Sequence, residues 1–313
     1  MTRVVFMGTP EFAVSSLKAL IEHPDFEVVG VVTQPDRPAG RGQQVNKSAV
    51  KQEAERHDLA VFQPETLRDS QAVETLRGWK PEIIVVVAFG QILRQPVLEL
   101  ARWGCVNGHA SLLPRWRGAA PLQYAIRAGD EASGVTIMKM DAGLDTGPIL
   151  AQRSIALASN ETGASLHDKL ARLGAELLPD TLLGYISGKI QPQLQPETGV
   201  MLAKTLKKEE GLIDWSQSAA TIDRQVRAFT PWPGTFTYLG GDYFKIHRGN
   251  PDVAEPSGGA PGMMIGQGND LLVQTGDFLY RLHEVQPAGK QRMSASAFLL
   301  GHPDIIGKTL TGR

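Results

Sequence analysis

The chain has 313 residues, 42% hydrophobic and 21% charged, with a formal net charge of -1. That balance describes a soluble globular protein of one large domain or two, and it gives no global pull towards nucleic acid or membrane, so an RNA contact needs a local patch. A single cysteine excludes an internal disulfide framework and a cysteine-rich zinc site, and suits a reducing compartment.

The N-terminal stretch MTRVVFMGTPEF is too briefly apolar for a signal-peptide core. No stretch approaches the ~18 residues of a membrane helix, so a cytoplasmic location without membrane contact is expected. RVVFMG reads as a buried strand. Thr9 can cap a following helix with Pro10 at its first position, and EFAVSSLKALIE has helical apolar spacing. EVVGVVT is a second strand, EIIVVVA (82–88) a third and GCVNGHA a short fourth. Continuous β-branched runs separated by helical patterns predict a parallel sheet covered on both faces. A helix is expected over 165–187, with Ser165 at its cap and Leu166, Leu170, Leu173 and Leu177 on its core face.

The fold expected is therefore α/β: a Rossmann-like, mostly parallel sheet domain over 1–190, then a small C-terminal β-barrel domain. GKIQPQLQPETG (188–199) is rich in proline, glutamine and glycine, and 191–204 reads as a linker. Beyond it, SAATIDRQVRAF reads as a short helix, and TFTYLGGDYFKIH and LLVQTGDFLYRLHEV as hairpins, within a compact all-β domain over 205–313.

The first strand is followed by MGTPEF, with one glycine where a dinucleotide site wants G-x-G-x-x-G, so a nicotinamide enzyme is disfavoured. The loop QPDRPAGRGQQVNK (34–47) carries Arg37, Arg41 and Lys47. It is too polar to pack, and reads either as a loose surface loop or as a contact for an anionic substrate.

Asn107 and His109, two apart in a strand, project together at a carboxyl end, where open α/β sheets bind ligands. An amide can donate to a developing oxyanion, and an imidazole can carry a proton near neutral pH. The pair suits acyl transfer; the plain alternative is a satisfied polar pair at a strand end. In MKMDAGLDTGPIL, Gly143 and Gly147 bracket Asp145 in a tight turn, which either orients the imidazole or merely makes an Asx turn. The spacing is not that of a metal site. Cys105 reads as a small core residue rather than a nucleophile.

NGHASLLPRWRGAAP resembles the formyltransferase signature N-x-H-x-S-L-L-P, and MDAGLDTG is similar to the second signature of that folate-dependent superfamily. FMGTPEFAV, TQPDRPAGRG, TLKKEEGLIDWSQSA and RAFTPWPG, in that order, resemble methionyl-tRNA formyltransferases across essentially the whole chain. The resemblance implies catalytic roles for Asn107, His109 and Asp145, and folate contact at Ser111, Leu112, Leu113 and Pro114. It implies tRNA contact through Arg41, with Arg37, Lys207 and Lys208 as further candidates, and an OB-like character for the C-terminal domain. It also implies 10-formyltetrahydrofolate as co-substrate, no metal and initiator methionyl-tRNA as acceptor; a monomer is the default expectation for a protein whose second domain must grip a long RNA. A sister reaction on an amino-sugar nucleotide is the alternative. Gly108 stands where that family commonly has valine, and 205–313 holds 11 Lys and Arg against 11 Asp and Glu.

Overall fold

The computed structural model describes residues 1–39, 44–252 and 258–312. They divide into two units. One comprises Met1–Pro121, Ala132–Ala156 and His167–Ala203; the other comprises Leu122–Glu131, Leu157–Leu166 and Lys204–Arg313.

The first unit is built on strands β1 (Thr2–Gly8), β2 (Phe26–Val32), β3 (Val61–Phe62), β4 (Ile83–Val87), β5 (Cys105–His109), β6 (Ala132–Lys139) and β7 (Ile149–Ala156). They form one seven-stranded sheet in the order β7-β6-β5-β4-β1-β2-β3. The pairs from β5 through β3 are parallel, while β6 runs antiparallel to both β5 and β7. Val4, Val5, Phe6 and Met7, like Ile83 to Val85, are fully buried. Burial on both faces is what continuous apolar runs demand, and helices α1 (Glu11–Glu22), α2 (Ala49–Arg56) and α3 (Ser70–Gly78) connect the strands.

The expected cap of α1 differs. Helix α1 starts after Pro10 without a side-chain cap, because the Thr9 hydroxyl donates to the Phe89 carbonyl at 2.9 Å. Thr9 thereby ties the end of β1 to the loop after β4, where Gln34 Nε2 also donates to Phe89 O at 3.2 Å. Helix α4 (Gly163–Ile186) begins two residues before the predicted Ser165. Thr162 and Ser165 exchange backbone-to-hydroxyl hydrogen bonds of 3.0 and 3.1 Å, which moves the cap to Thr162. Of the predicted stripe Leu166, Leu170 and Leu177 are buried while Leu173 is only partly so, and Leu178 and Leu182 complete the core face.

Composition misleads at two other places. Within the polar loop, Arg37–Ala39 pairs antiparallel with Gln44–Asn46, forming a ladder where no structure was expected; Arg41 lies outside the described residues. The 191–204 stretch, read as a linker, is part of the first unit as far as Ala203. Gln193 exchanges backbone hydrogen bonds of 2.7 and 2.8 Å with Ile149, and Leu202–Ala203 pairs parallel to Arg117–Gly118. Its prolines and glutamines reflect an extended path along a folded surface.

The second unit contains β8 (Thr235–Leu239), β9 (Asp242–Asp252), β10 (Met264–Gln267), β11 (Asp270–Gln274), β12 (Leu279–Pro287), β13 (Met293–Ser294) and β14 (Leu310–Thr311). All ladders are antiparallel, in the order β10-β11-β12-β9-β8-β14 with β13 on β12. A bridge between Met263 and Thr309 joins the two ends, closing a small barrel. Both predicted hairpins are present. The β8–β9 turn uses Gly240 and Gly241 at φ +61° and +90°, the left-handed geometry that favours glycine in a two-residue turn. Tyr280, Phe244, Ile246, Leu271 and Val273 form its core beneath helix α5 (Ala219–Ala228), capped by Ser218 as its serine suggests.

No described helix is long and apolar enough to cross a membrane.

Candidate active site

Strand β5 sits between parallel β4 and antiparallel β6, and its register pairs Asn107 with both Val86 and Met138 and His109 with Thr136. The two-residue period puts both side chains on one face near the carboxyl end of the parallel strands. They are 8% and 7% exposed. Gly108, on the opposite face, is bordered by Val87 and Ile137.

His109 Nε2 lies 2.9 Å from the Trp116 carbonyl oxygen. A carbonyl can only accept, so Nε2 carries the hydrogen and Nδ1 is the ring position left to exchange a proton. Nδ1 faces Asp145 Oδ2 at 3.7 Å. The turn holding Asp145 returns its carboxylate to β5: Oδ2 accepts the Gly118 amide at 2.8 Å, and Oδ1 accepts Asn107 Nδ2 at 3.4 Å. Asn107, His109 and Asp145 therefore do meet. The ring's orientation, however, is set by a backbone carbonyl that side-chain motifs do not display, and the carboxylate's firmest bond is to a glycine amide.

The loop after β5 is fixed by buried polar groups. Thr136 Oγ1 donates to Ser111 O at 2.6 Å and accepts from Leu113 N at 3.1 Å, while Gln152 Nε2 donates to Leu113 O at 2.9 Å. Ser111, 1% exposed, donates its hydroxyl to Arg115 O at 2.6 Å. Ser111 and Leu113 face inward, whereas Leu112 and Pro114 are half-buried.

Cys105 is buried, its thiol donates to Val97 O at 3.5 Å, and burial pushes its pKa up to about 12. It is a core residue, since a neutral thiol in apolar surroundings is a poor nucleophile. Arg37 is exposed and 3.9 Å from Glu65. The base of its hairpin is held by Asp36, whose carboxyl is kept below the usual range by hydrogen bonds from Lys51 and Gln63. In the second unit, Lys207 and Lys208 are exposed at the start of a short 3-10 turn, where Glu210 Oε1 accepts the Lys207 amide at 2.9 Å. Among the described residues no group of three or more His, Cys, Asp or Glu is placed to hold a metal ion.

Residues 2–182 match the family model described as formyl transferase, and residues 205–303 match that of the formyl transferase C-terminal domain. Methionyl-tRNA formyltransferase of Magnetococcus marinus is 51% identical over 96% of this chain and 95% of its own length. The chain belongs to the formyl transferase family, among the methionyl-tRNA formyltransferases. The Myxococcus xanthus protein of the same name is 50% identical over the same shares. An N-formyltransferase from Helicobacter canadensis, solved with folinic acid and dTDP-3-aminofucose, superposes with a TM-score of 0.68 at 20% identity, covering 94% of this chain and all of that one. That likeness carries the fold alone. The resemblance read from residues 107–121 and 140–147, and the formyltransferase activity it implies, are borne out by the family match.

Proposed function

We propose that the chain, acting as a cytoplasmic monomer, transfers the formyl group of 10-formyltetrahydrofolate to the amine of methionine esterified to initiator tRNA. Near-full-length identity of 50–51% to methionyl-tRNA formyltransferases supports the acceptor. The observation that carries the chemistry is the convergence of the Asn107 amide, the His109 imidazole and the Asp145 carboxylate at the end of β5.

The amine lone pair attacks the formyl carbon, and the carbonyl π electrons move onto oxygen. Asn107 has two amide hydrogens. One points to Asp145, and the other is free to donate to the oxyanion, where a preorganised donor acts without reorganisation. His109 Nδ1 takes the proton that the amine gives up, and the Asp145 carboxylate opposes the positive charge then on the ring. Collapse of the intermediate restores the carbonyl and breaks its bond to N10 of the folate. N10 receives the proton from the imidazolium, leaving tetrahydrofolate and the formylated amine.

With the Ser111 and Leu113 side chains turned inward, folate contact at 111–114 falls to the backbone, Leu112 and Pro114. Arg37, Arg41, Lys207 and Lys208 serve as phosphate contacts, giving tRNA affinity a salt dependence.

The test offers purified protein 10-formyltetrahydrofolate with methionyl initiator tRNA, methionyl elongator tRNA and an amino-sugar nucleotide, counting formyl groups transferred. Transfer confined to the initiator is expected. Transfer to the sugar alone would overturn the acceptor while leaving the formyl chemistry in place.

A further inference from the structure

Gln195 is the one residue between 191 and 200 that is not exposed. Its carboxamide nitrogen donates to Asp145 O at 2.7 Å and Gly147 O at 2.8 Å. Its carboxamide oxygen accepts from Arg117 Nε at 3.0 Å and Nη2 at 2.7 Å. Carbonyls only accept and a guanidinium only donates, so just one orientation of the amide satisfies the set. The backbone exchange between Gln193 and Ile149 delivers Gln195 to this position.

Both ends of Asp145 meet in this arrangement. Its backbone carbonyl is held by Gln195 directly, and its carboxylate by the amide of Gly118, next to the Arg117 that Gln195 also holds. Asp145 has φ +51°, a left-handed conformation that a non-glycine residue keeps only where its surroundings impose it. The contacts around it supply that constraint.

We propose that Gln195 is a positioning residue for formyl transfer: it locks the Asp145 turn against the 117–118 strand, so that the carboxylate stays between Asn107 and His109. This role rests on reading those three residues as the reacting site. It assigns a function to a stretch whose composition suggests only a connection.

The test compares the full chain with Gln195→Ala, Gln195→Glu, Asp145→Asn and the Asp145→Asn/Gln195→Ala double variant, using the methionyl-tRNA formylation assay. Losing a partner that orients a metal ligand typically costs about 10–100-fold, and a fall in kcat of the same order is expected for both Gln195 variants, whose partner is a carboxylate-bearing turn. KM for the tRNA stays unchanged and the pH–rate profile shifts. Gln195→Glu keeps the shape of the side chain, guarding against simple unfolding, but replaces the two donated hydrogens with an acceptor. If Gln195 acts through Asp145, adding Gln195→Ala to Asp145→Asn costs much less than the same change in the wild type. Equal losses in the two backgrounds, or Gln195 variants with wild-type kcat and pH profile, would overturn the role. An active wild type with insensitive Gln195 variants removes this role alone, whereas a wild type that formylates no amine removes the site reading with it.

Discussion

His109 donates Nε2–H to the carbonyl oxygen of Trp116 at 2.9 Å, and this bond leaves Nδ1 as the ring nitrogen open to proton exchange. Nδ1 is left facing Asp145, so in the proposed mechanism proton transfer and charge compensation fall on the same side of the ring. Asp145 in turn spans Asn107 and Gly118. The three groups to which the proposed mechanism gives the roles of oxyanion donor, proton carrier and charge partner are thus mechanically joined, and each can be perturbed separately.

Asp145→Asn preserves shape but removes the charge facing Nδ1. Because positioned acid–base catalysis contributes about 10²–10⁴-fold, kcat is expected to fall by at least the lower figure. Steady-state formylation checks this, with tRNA binding unchanged.

Gly147 is required by space. A Cβ there would run into the Lys139 carbonyl oxygen, a backbone atom that cannot turn aside. Gly147→Ala is expected to lower stability by roughly 1–3 kcal/mol, the range for overpacking, read by urea denaturation. It also lowers kcat, since the Gly147 carbonyl that Gln195 grips is displaced.

Gly108 gives the opposite sign. A Cβ there makes ordinary contact with Val87 Cγ2 at 3.4 Å and Ile137 Cδ1 at 3.7 Å. Gly108→Ala is expected to stabilise the chain by about 0.5–1 kcal/mol, because glycine in a strand interior loses more freedom on folding. Denaturant midpoints measure it, and turnover is expected to be unaffected.

Cys105 tests the rejected nucleophile. With the thiol pushed up to about 12, almost no thiolate exists at pH 8. Native protein is expected to resist iodoacetamide at that pH and to label only after unfolding, and Cys105→Ala is expected to retain turnover. Rapid labelling with loss of activity would contradict the assignment.

The sequence makes the strands of the first sheet legible where both faces are buried: Val4 to Met7 and Ile83 to Val87 leave little alternative. Asn107 and His109 were legible because strand periodicity alone puts them on one face. Asp145 needed the glycine-bracketed turn and the resemblance together. The Trp116 carbonyl and Gly118 amide were not legible, since backbone groups are common to every residue and only folding aims them. Gln195 was hidden for a different reason: its neighbours are solvated, so composition describes their surroundings rather than its bonds. Thr9 looked like a cap because local sequence omits Phe89, eighty residues away, which takes its hydroxyl.

Whether formyl transfer takes place at the Asn107–His109–Asp145 cluster is decided by single-turnover formylation with Asn107→Ala. With both substrates saturating, a rate about 10²–10³-fold below wild type is expected, the usual cost of one oxyanion donor, with methionyl-tRNA affinity unchanged. A variant that transfers the formyl group at the wild-type rate would contradict transfer at that cluster.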